Sequence, residues 1–151
     1  MKALFDTNII VDVLQRREPW FADCSRLFLL AAANEFEGFI TSKEAADIWY
    51  FSRRQFRGQD DTDMKARNVL VKLFALFGII DTLAADCQNA LASADGDYED
   101  AIMAASASRS GMDCIITRNA GHYKSSAVPV YTPQEFLEQW PGLKGEPARE
   151  G

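Results

Sequence analysis

The chain has 151 residues, a length that fits one globular domain. Its composition, 48% hydrophobic and 25% charged, is ordinary for a soluble protein, and no apolar run is long enough to cross a bilayer. A formal net charge of −6 argues against a nonspecific cationic nucleic-acid binder, because phosphate contacts need Lys or Arg. That charge does not exclude a nuclease, since a metal-binding carboxylate cluster is itself acidic.

Short apolar segments alternate with longer helical ones along the chain. Strands are predicted at 2–5, 38–41, 78–81, 113–117 and 128–131. Helices are predicted at 19–33, 42–56, 63–77, 86–93 and 97–110, with Gly111 as a stop and a polar loop at 58–63. This alternation predicts an α/β fold, a three-layer α/β/α sandwich around a central, mainly parallel sheet.

The end of the chain divides into a helix and a tail. Thr132 is a good N-cap, Pro133 suits the first helical position and Glu135 the third. From Pro141 onward the composition turns to Gly, Pro, Lys and Glu. We therefore expect a folded domain over 1–140 and a flexible tail over 141–151.

Cysteine and histidine usage leaves little room for zinc or disulfides. The cysteines are odd in number, far apart and set among apolar or helical residues, which favours reduced, buried thiols: Cys24, Cys87 and Cys114. His122 is the single histidine. Residues 1–3 lead straight into an apolar strand without the pattern of a secretion signal, so we expect a cytoplasmic protein.

Acidic residues follow three of the predicted strand or loop ends. Asp6 follows the first strand, Glu44 follows the second, and Asp97 and Asp100 open a helix. Parallel strands bring such positions to one edge of the sheet, where crowded carboxylates repel unless one is protonated or a cation lies between them. Mg²⁺ or Mn²⁺ suits such oxygen ligands. A metal there would support hydrolysis of a phosphodiester.

Each of these acids also has a structural interpretation. Thr41 and Glu44 have the spacing of a capping box, and Asp97 with Asp100 imitates one. Asp6 alone could be a strand-end N-cap, and Asp97 is either a further ligand or a cap. The residues after Asp6, Thr7 and Asn8, would orient ligands or cap the following helix.

The middle of the chain is its most basic stretch and is rich in aromatic residues. The basic residues are Arg53, Arg54, Arg57, Lys65, Arg67 and Lys72. They would either hold a nucleic-acid backbone or form a solvated helix face. Aromatic residues could form a dimer face or pack in the core: Trp20, Trp49, Tyr50, Phe51 and Phe56.

The chain resembles PIN-domain proteins, the fold of VapC-type toxin ribonucleases, from residue 1 to about residue 139. The motifs are Leu4-Phe5-Asp6-Thr7-Asn8, Ser42-Lys43-Glu44, the stretch 97–105 and Ile115-Ile116-Thr117-Arg118-Asn119, with 128–137 similar to one bacterial branch. The resemblance implies an Mg²⁺- or Mn²⁺-dependent ribonuclease acting on single-stranded RNA. It also implies a homodimer neutralised by a cognate antitoxin, with the principal acids at Asp6, Glu44 and Asp100.

The resemblance has one departure, because the family's fourth acid falls on Asn119. An amide ligates without bringing charge, so Asp97 compensates or the fourth position is dispensable. The resemblance places Thr117 beside the metal ligands, although it could be a simple strand-end hydroxyl. Arg118 would meet a phosphate or lie exposed, and His122 would touch substrate or be incidental. We expect substrate to be bound by four residues: Asn8, Thr117, Arg118 and Asn119.

Three other classes compete with the nuclease. A protein that kept the fold but lost catalysis would bind nucleic acid or protein, and Asn119 and the net acidity favour it. Phosphotransfer of the haloacid dehalogenase type also uses an Asp after the first strand, but it wants a second acid where Asn8 stands. A domain that is phosphorylated on aspartate is also disfavoured, because its acid pair would precede an aspartate on a later strand.

Overall fold

A single five-stranded sheet forms the centre of the molecule. The computed structural model describes residues 1–93 and 96–143. The strands are β1 (Lys2–Phe5), β2 (Glu37–Thr41), β3 (Gly78–Ile80), β4 (Cys114–Ile116) and β5 (Val130–Tyr131). They lie in the order β3-β2-β1-β4-β5, and every neighbouring pair is parallel. The predicted α/β fold is confirmed, and the sheet is wholly rather than mainly parallel.

Helices follow the strands and cover both faces of the sheet. They are α1 (Thr7–Leu14), α2 (Phe21–Ala32), α3 (Ser42–Gln55), α4 (Thr62–Leu76), α5 (Ala84–Ala90), α6 (Tyr98–Arg109), α7 (Pro133–Leu143) and a 3-10 helix, Ala120–Tyr123. The sequence predictions set no bounds for α1 and omitted the 3-10 helix. In α1 the run of Ile9, Ile10 and Val11 has low helix propensity, and burial of all three in the core overrides it.

Alternation along the strands builds two cores. Ala3 and Phe5 of β1 pack in the larger cluster with α2 and α7, whereas Leu4 points to the other face and packs with Met103 of α6. Ile116 and Ile115 of β4 divide in the same way. Successive side chains of a strand point to opposite faces, so an apolar strand of this kind must be covered on both sides.

Local chemistry explains where several helices begin and end. Gly111 lies at φ +68°, and the amides of Gly111 and Met112 donate to the carbonyls of Ser108 and Ala107, which closes α6 in a Schellman motif. The predicted stop at Gly111 is confirmed. Helix α5 begins before the predicted residue 86, because the carboxylate of Asp86 accepts from the Leu83 amide at 2.9 Å and caps the first turn.

The C-terminal prediction falls mostly outside the described part of the chain. The capping pattern at Thr132 and Glu135 is present, and α7 continues from Pro133 to Leu143. The first three residues of the predicted tail thus belong to α7, and 144–151 lie outside the described residues. In the described ranges, none of the helices has the length and apolar character needed to cross a membrane.

The order of the strands creates a crevice beside β1. From β1 the chain builds β2 and β3 on one side, and β4 and β5 occupy the other side. The Asp6 amide donates to the Ile116 carbonyl at 2.9 Å, so the contact between β1 and β4 extends to the point where both strands end. Ligands of open α/β sheets bind at such a reversal of strand order, at the carboxyl ends of the strands.

Candidate active site

Asp6 enters the crevice directly from the end of β1. Its side chain is buried, and Oδ2 accepts hydrogen bonds from the hydroxyls of Thr117 at 2.8 Å and Tyr123 at 3.1 Å. Burial raises the pKa of Asp6, and these two hydrogen bonds oppose that rise only in part. The fold therefore holds a carboxylate in a place that disfavours its charge.

Asp100 reaches the same place from the first turn of α6. Its Oδ1 lies 3.3 Å from the Tyr123 hydroxyl that also contacts Asp6, and its Oδ2 lies 2.9 Å from His122 Nδ1. Burial raises the pKa of Asp100, and the negative charge of Asp6 raises it further. A hydroxyl has one proton, so Tyr123 donates to one of the two carboxylates at a time. A further proton or a cation would relieve the pair.

Glu44 is both a helix cap and a member of the acidic cluster. Its Oε1 accepts from the Thr41 amide at 2.9 Å, and Thr41 Oγ1 accepts from the Glu44 amide at 3.2 Å, which completes the predicted capping box. Its Oε2 accepts from the Thr7 hydroxyl at 3.2 Å. The side chain is fully buried, and burial followed by the charge of Asp6 raises the pKa of Glu44 well above its ordinary value.

Asp97 behaves as a cap. It precedes α6, and its carboxylate accepts from the amides of Glu99 at 2.8 Å and Asp100 at 3.3 Å. Its side chain lies at the exposed rim of the crevice. Of the two interpretations open from the sequence, the geometry favours the cap, which fixes the start of the helix that carries Asp100.

Three of the predicted polar residues surround Asp6. The buried hydroxyl of Thr117 donates to Asp6 and accepts from the Asn119 amide at 3.0 Å. Asn8 Nδ2 lies 3.4 Å from Asp6 Oδ2, and its Oδ1 accepts from the Arg118 amide at 3.3 Å. The side chain of Asn119 lines the crevice. Thr117 and Asn8 thus both contact Oδ2 of Asp6, and the backbone amide of Asn119 holds the Thr117 hydroxyl.

Arg118 lies in a different place from the one that the predicted phosphate contact requires. Its Nε pairs with Asp12 Oδ2 at 2.7 Å, and its guanidinium carbon lies 3.9 Å from the centroid of the Trp20 ring. The Arg118 side chain is only 22% exposed and the Asp12 side chain is wholly buried, so the alternative of an exposed arginine does not describe it either. The sequence offered no way to foresee this partner in α1.

The crevice has a volume of about 440 Å³ and is lined mainly by polar side chains. Besides the acids, it includes Lys43, whose Nζ pairs with Asp47 at 2.8 Å and Glu99 at 3.4 Å, and Tyr50 of α3. The sequence analysis did not single out Lys43 or Tyr123. Nothing in the local sequence marks Tyr123, because only the 3-10 helix brings its hydroxyl between Asp6 and Asp100.

The donor set fits a hard divalent cation. Within 1–93 and 96–143, no group of three His, Cys, Asp or Glu side chains stands in an arrangement ready to hold a metal. However, the carboxylates of Asp6 and Asp100 share one hydroxyl, the charge of Asp6 acts on the carboxylate of Glu44, and all three groups have raised pKa values. Oxygen ligands that are strained without a counter-ion are the ligands that Mg²⁺ and Mn²⁺ accept. Rotation of the acidic side chains away from the hydroxyls of Tyr123 and Thr7 would free carboxylate oxygens for the cation.

The raised pKa values predict an unusual dependence of stability on pH. Since burial keeps the pKa values of Asp6, Glu44 and Asp100 above the ordinary values of 3.8 and 4.5, the free energy of unfolding in chelator should fall as pH rises above those ordinary values and through the raised pKa values of the folded chain. Urea unfolding across this range measures the effect, and added Mg²⁺ should reduce the slope. A metal-free stability that increases through the same range would contradict the assignment.

Comparison with known proteins identifies the family. The chain belongs to the PIN domain family, whose model matches residues 2–121. The family expected from the sequence motifs is thus confirmed, and at family level this membership supports a nuclease. Comparison with curated protein sequences gives no match.

Solved structures share the fold at low sequence identity. FitAcB from Neisseria gonorrhoeae is 17% identical with a TM-score of 0.66, covering 87% of this chain and 98% of that one. A toxin-antitoxin complex from Klebsiella pneumoniae is 22% identical with a TM-score of 0.61, covering 87% and 97%. Mycobacterium tuberculosis VapC20, a sarcin-ricin loop cleaving toxin, is 14% identical with a TM-score of 0.55, covering 75% and 86%.

Proposed function

We propose that this chain is a metal-dependent endoribonuclease that hydrolyses phosphodiester bonds of single-stranded RNA. The observation that carries the proposal is the convergence of Asp6 and Asp100, which are far apart in sequence, on the one hydroxyl of Tyr123. Isolated helix caps would leave these carboxylates on their own backbone amides. Membership of the PIN domain family supports the same reaction class.

Asp6, Glu44 and Asp100 would hold the cofactor, Mg²⁺ or Mn²⁺. When bound, the ion would supply an activated water and would polarise the phosphodiester. Asp97 keeps α6, and with it Asp100, in position through the helix cap. Asn119 contributes an amide where the family has a fourth acid, and that substitution lowers the negative charge available to the cation.

The other residues of the crevice prepare it for an RNA strand. Thr117 and Asn8 fix the Asp6 carboxylate, and the Asn8 and Asn119 side chains border the space where the phosphodiester would lie. Lys43 offsets part of the acidity at the rim, which eases the approach of a phosphate. Arg118 would act on substrate only indirectly, by holding the loop that carries Thr117 and Asn119.

The biological setting we propose is that of a toxin in a toxin-antitoxin pair. The similar structures include a toxin-antitoxin complex and a toxin that cleaves the sarcin-ricin loop. By analogy, this chain would act in the cytoplasm as a homodimer and would be neutralised by a cognate antitoxin protein. Co-expression with the product of an adjacent small gene would test for that partner.

A second candidate function is an inactive PIN-fold module that binds nucleic acid or protein. Asn119 replaces an acid, and both oxygens of Glu44 already accept hydrogen bonds, from Thr41 and Thr7. Such a module would keep the fold without binding a divalent ion. Titration with Mn²⁺, followed by calorimetry, separates it from the enzyme.

The direct test of the proposal is cleavage of a labelled single-stranded RNA by the purified chain. Cleavage is expected with Mg²⁺ or Mn²⁺ and should be absent in EDTA. On an RNA labelled at both ends, an internal cut gives two fragments that each carry one of the labels. Such fragments would show endonuclease action. Absence of Mn²⁺ binding together with absence of cleavage would favour the second candidate.

A further inference from the structure

One face of α3 leads out of the acidic crevice. Lys43, Asp47, Tyr50 and Arg54 recur at helical spacing along it, and we call these four residues the α3 stripe. At 1.5 Å per residue, the stripe is about 16 Å long. Its first three members line the acidic crevice, whereas Arg54 lies beyond it.

A second cleft continues from the end of the stripe. It has a volume of about 370 Å³. Its lining is basic and aromatic: Trp49, Tyr50, Arg53, Arg54, Arg57, Gly58 and Thr62. Tyr50 lines both clefts, so the acidic crevice and the basic cleft are adjacent along α3.

Guanidinium groups lie against the aromatic rings of this cleft. Arg54 is 5.8 Å from the Tyr50 ring centroid, and Trp49 has Arg53 at 5.9 Å and Arg67 at 5.5 Å. The Tyr50 residue is 59% exposed, which is high for tyrosine, a residue type of intermediate burial in folded proteins. An exposed ring beside fixed cations can stack a base while the cations meet its phosphates.

The charges in the second cleft are only partly neutralised. Arg53 pairs with Asp63 at 2.9 Å. For Arg54 and Arg57, no acid in the ranges 1–93 and 96–143 forms an ion pair with either side chain. On a chain with a net charge of −6, two adjacent cations without an acidic partner favour a polyanion at this place.

We propose that an RNA strand leaving the acidic crevice lies along the α3 stripe, with one base stacked on Tyr50 and phosphates at Arg54 and Arg57. The proposal rests on the proposed nuclease function and adds to it the path of the single strand. Nucleic acid satisfies both features of the cleft, the exposed ring and the guanidinium groups that pair with no acid of the described ranges. A second copy of this acidic chain would match the ring but would need acids opposite the arginines.

The salt dependence of RNA binding tests the phosphate contacts. A fluorescent single-stranded RNA is titrated with the full chain in EDTA, where no cleavage occurs, at several salt concentrations. Arg54→Ala and Arg57→Ala should each weaken binding and reduce the slope of log K against log salt by about 0.7. The matched control is Arg26→Ala, an exposed arginine of α2, which should leave the slope unchanged.

Tyr50 variants test the stacked base. Tyr50→Phe should keep the affinity, and Tyr50→Ala should weaken it about fivefold or more, because stacking needs the ring and not the hydroxyl. Equal loss in both variants would overturn the stacking role. Slopes for the Arg54 and Arg57 variants equal to that of Arg26→Ala would overturn the path.

Two further readouts separate the possible failures. If Arg54→Ala converts a dimer to a monomer by light scattering and leaves the salt slope intact, the cleft is an interface between copies and the RNA path is wrong. If RNA binding depends on Arg54 and Arg57 but no metal supports cleavage, the proposed nuclease activity fails while the RNA surface stands. If a metal supports cleavage but RNA binding does not depend on Arg54 and Arg57, the RNA path fails while the proposed nuclease activity stands.

Discussion

Asp100→Asn is expected to reduce metal-dependent RNA cleavage by about a thousandfold or more, because a lost ligand removes several kcal/mol of charge stabilisation. The same change should leave the thermal stability in chelator unchanged or raise it. Asparagine can still accept from Tyr123, and it removes the charge that Asp6 opposes. Initial cleavage rates and melting curves in EDTA measure the two effects.

Asp97→Asn is the matched control for the loss of one negative charge on this part of α6. Asparagine caps a helix as well as aspartate, so the amides of Glu99 and Asp100 keep their acceptor. Stability and cleavage should therefore stay close to those of the parent chain. If Asp100→Asn cleaves RNA at the parent rate, or if it melts markedly lower in EDTA, Asp100 has a structural role only.

Tyr123→Phe is expected to destabilise the metal-free protein by about 1–3 kcal/mol, because the carboxylates of Asp6 and Asp100 lose their shared donor. The loss should be smaller in saturating Mg²⁺. A cation bound between the carboxylates would offset their repulsion in place of the hydroxyl proton of Tyr123. Binding of the cation to the folded state also adds stability by mass action. Chemical unfolding with and without Mg²⁺ measures the difference.

A ring-only role for Tyr123 would give another pattern. The ring packs in the smaller core cluster with Leu4 and Met103, and phenylalanine preserves that packing. Unchanged stability of Tyr123→Phe would therefore show a ring-only role. A loss of stability that is equal with and without Mg²⁺ would show that the hydroxyl supports the fold and has no relation to the metal.

Sequence patterns alone predicted the edge of the sheet that carries the site. An apolar strand that ends in Asp6, and the Thr41 and Glu44 spacing after the next strand, are local features with a direct physical meaning. The parallel order of β1, β2 and β4 then brings these ends together. The five strands and most helices were predicted within a few residues for the same reason.

Features that depend on distant partners could not be predicted. Tyr123 becomes part of the site only because the 3-10 helix turns it beneath Asp6 and Asp100. Arg118 pairs with the buried carboxylate of Asp12 and packs on the ring of Trp20. Each of these partners is about a hundred residues away from Arg118 in sequence. An isolated sequence gives no measure of such long-range pairings.

Anomalous diffraction from crystals soaked in Mn²⁺ tests most directly whether the carboxylates form a metal site. We predict a peak between Asp6 and Asp100, with the Asp100 oxygen turned from the Tyr123 hydroxyl toward the ion. Absence of a peak in the crevice at saturating Mn²⁺, with both carboxylates still hydrogen-bonded to Tyr123, would contradict the proposed metal site.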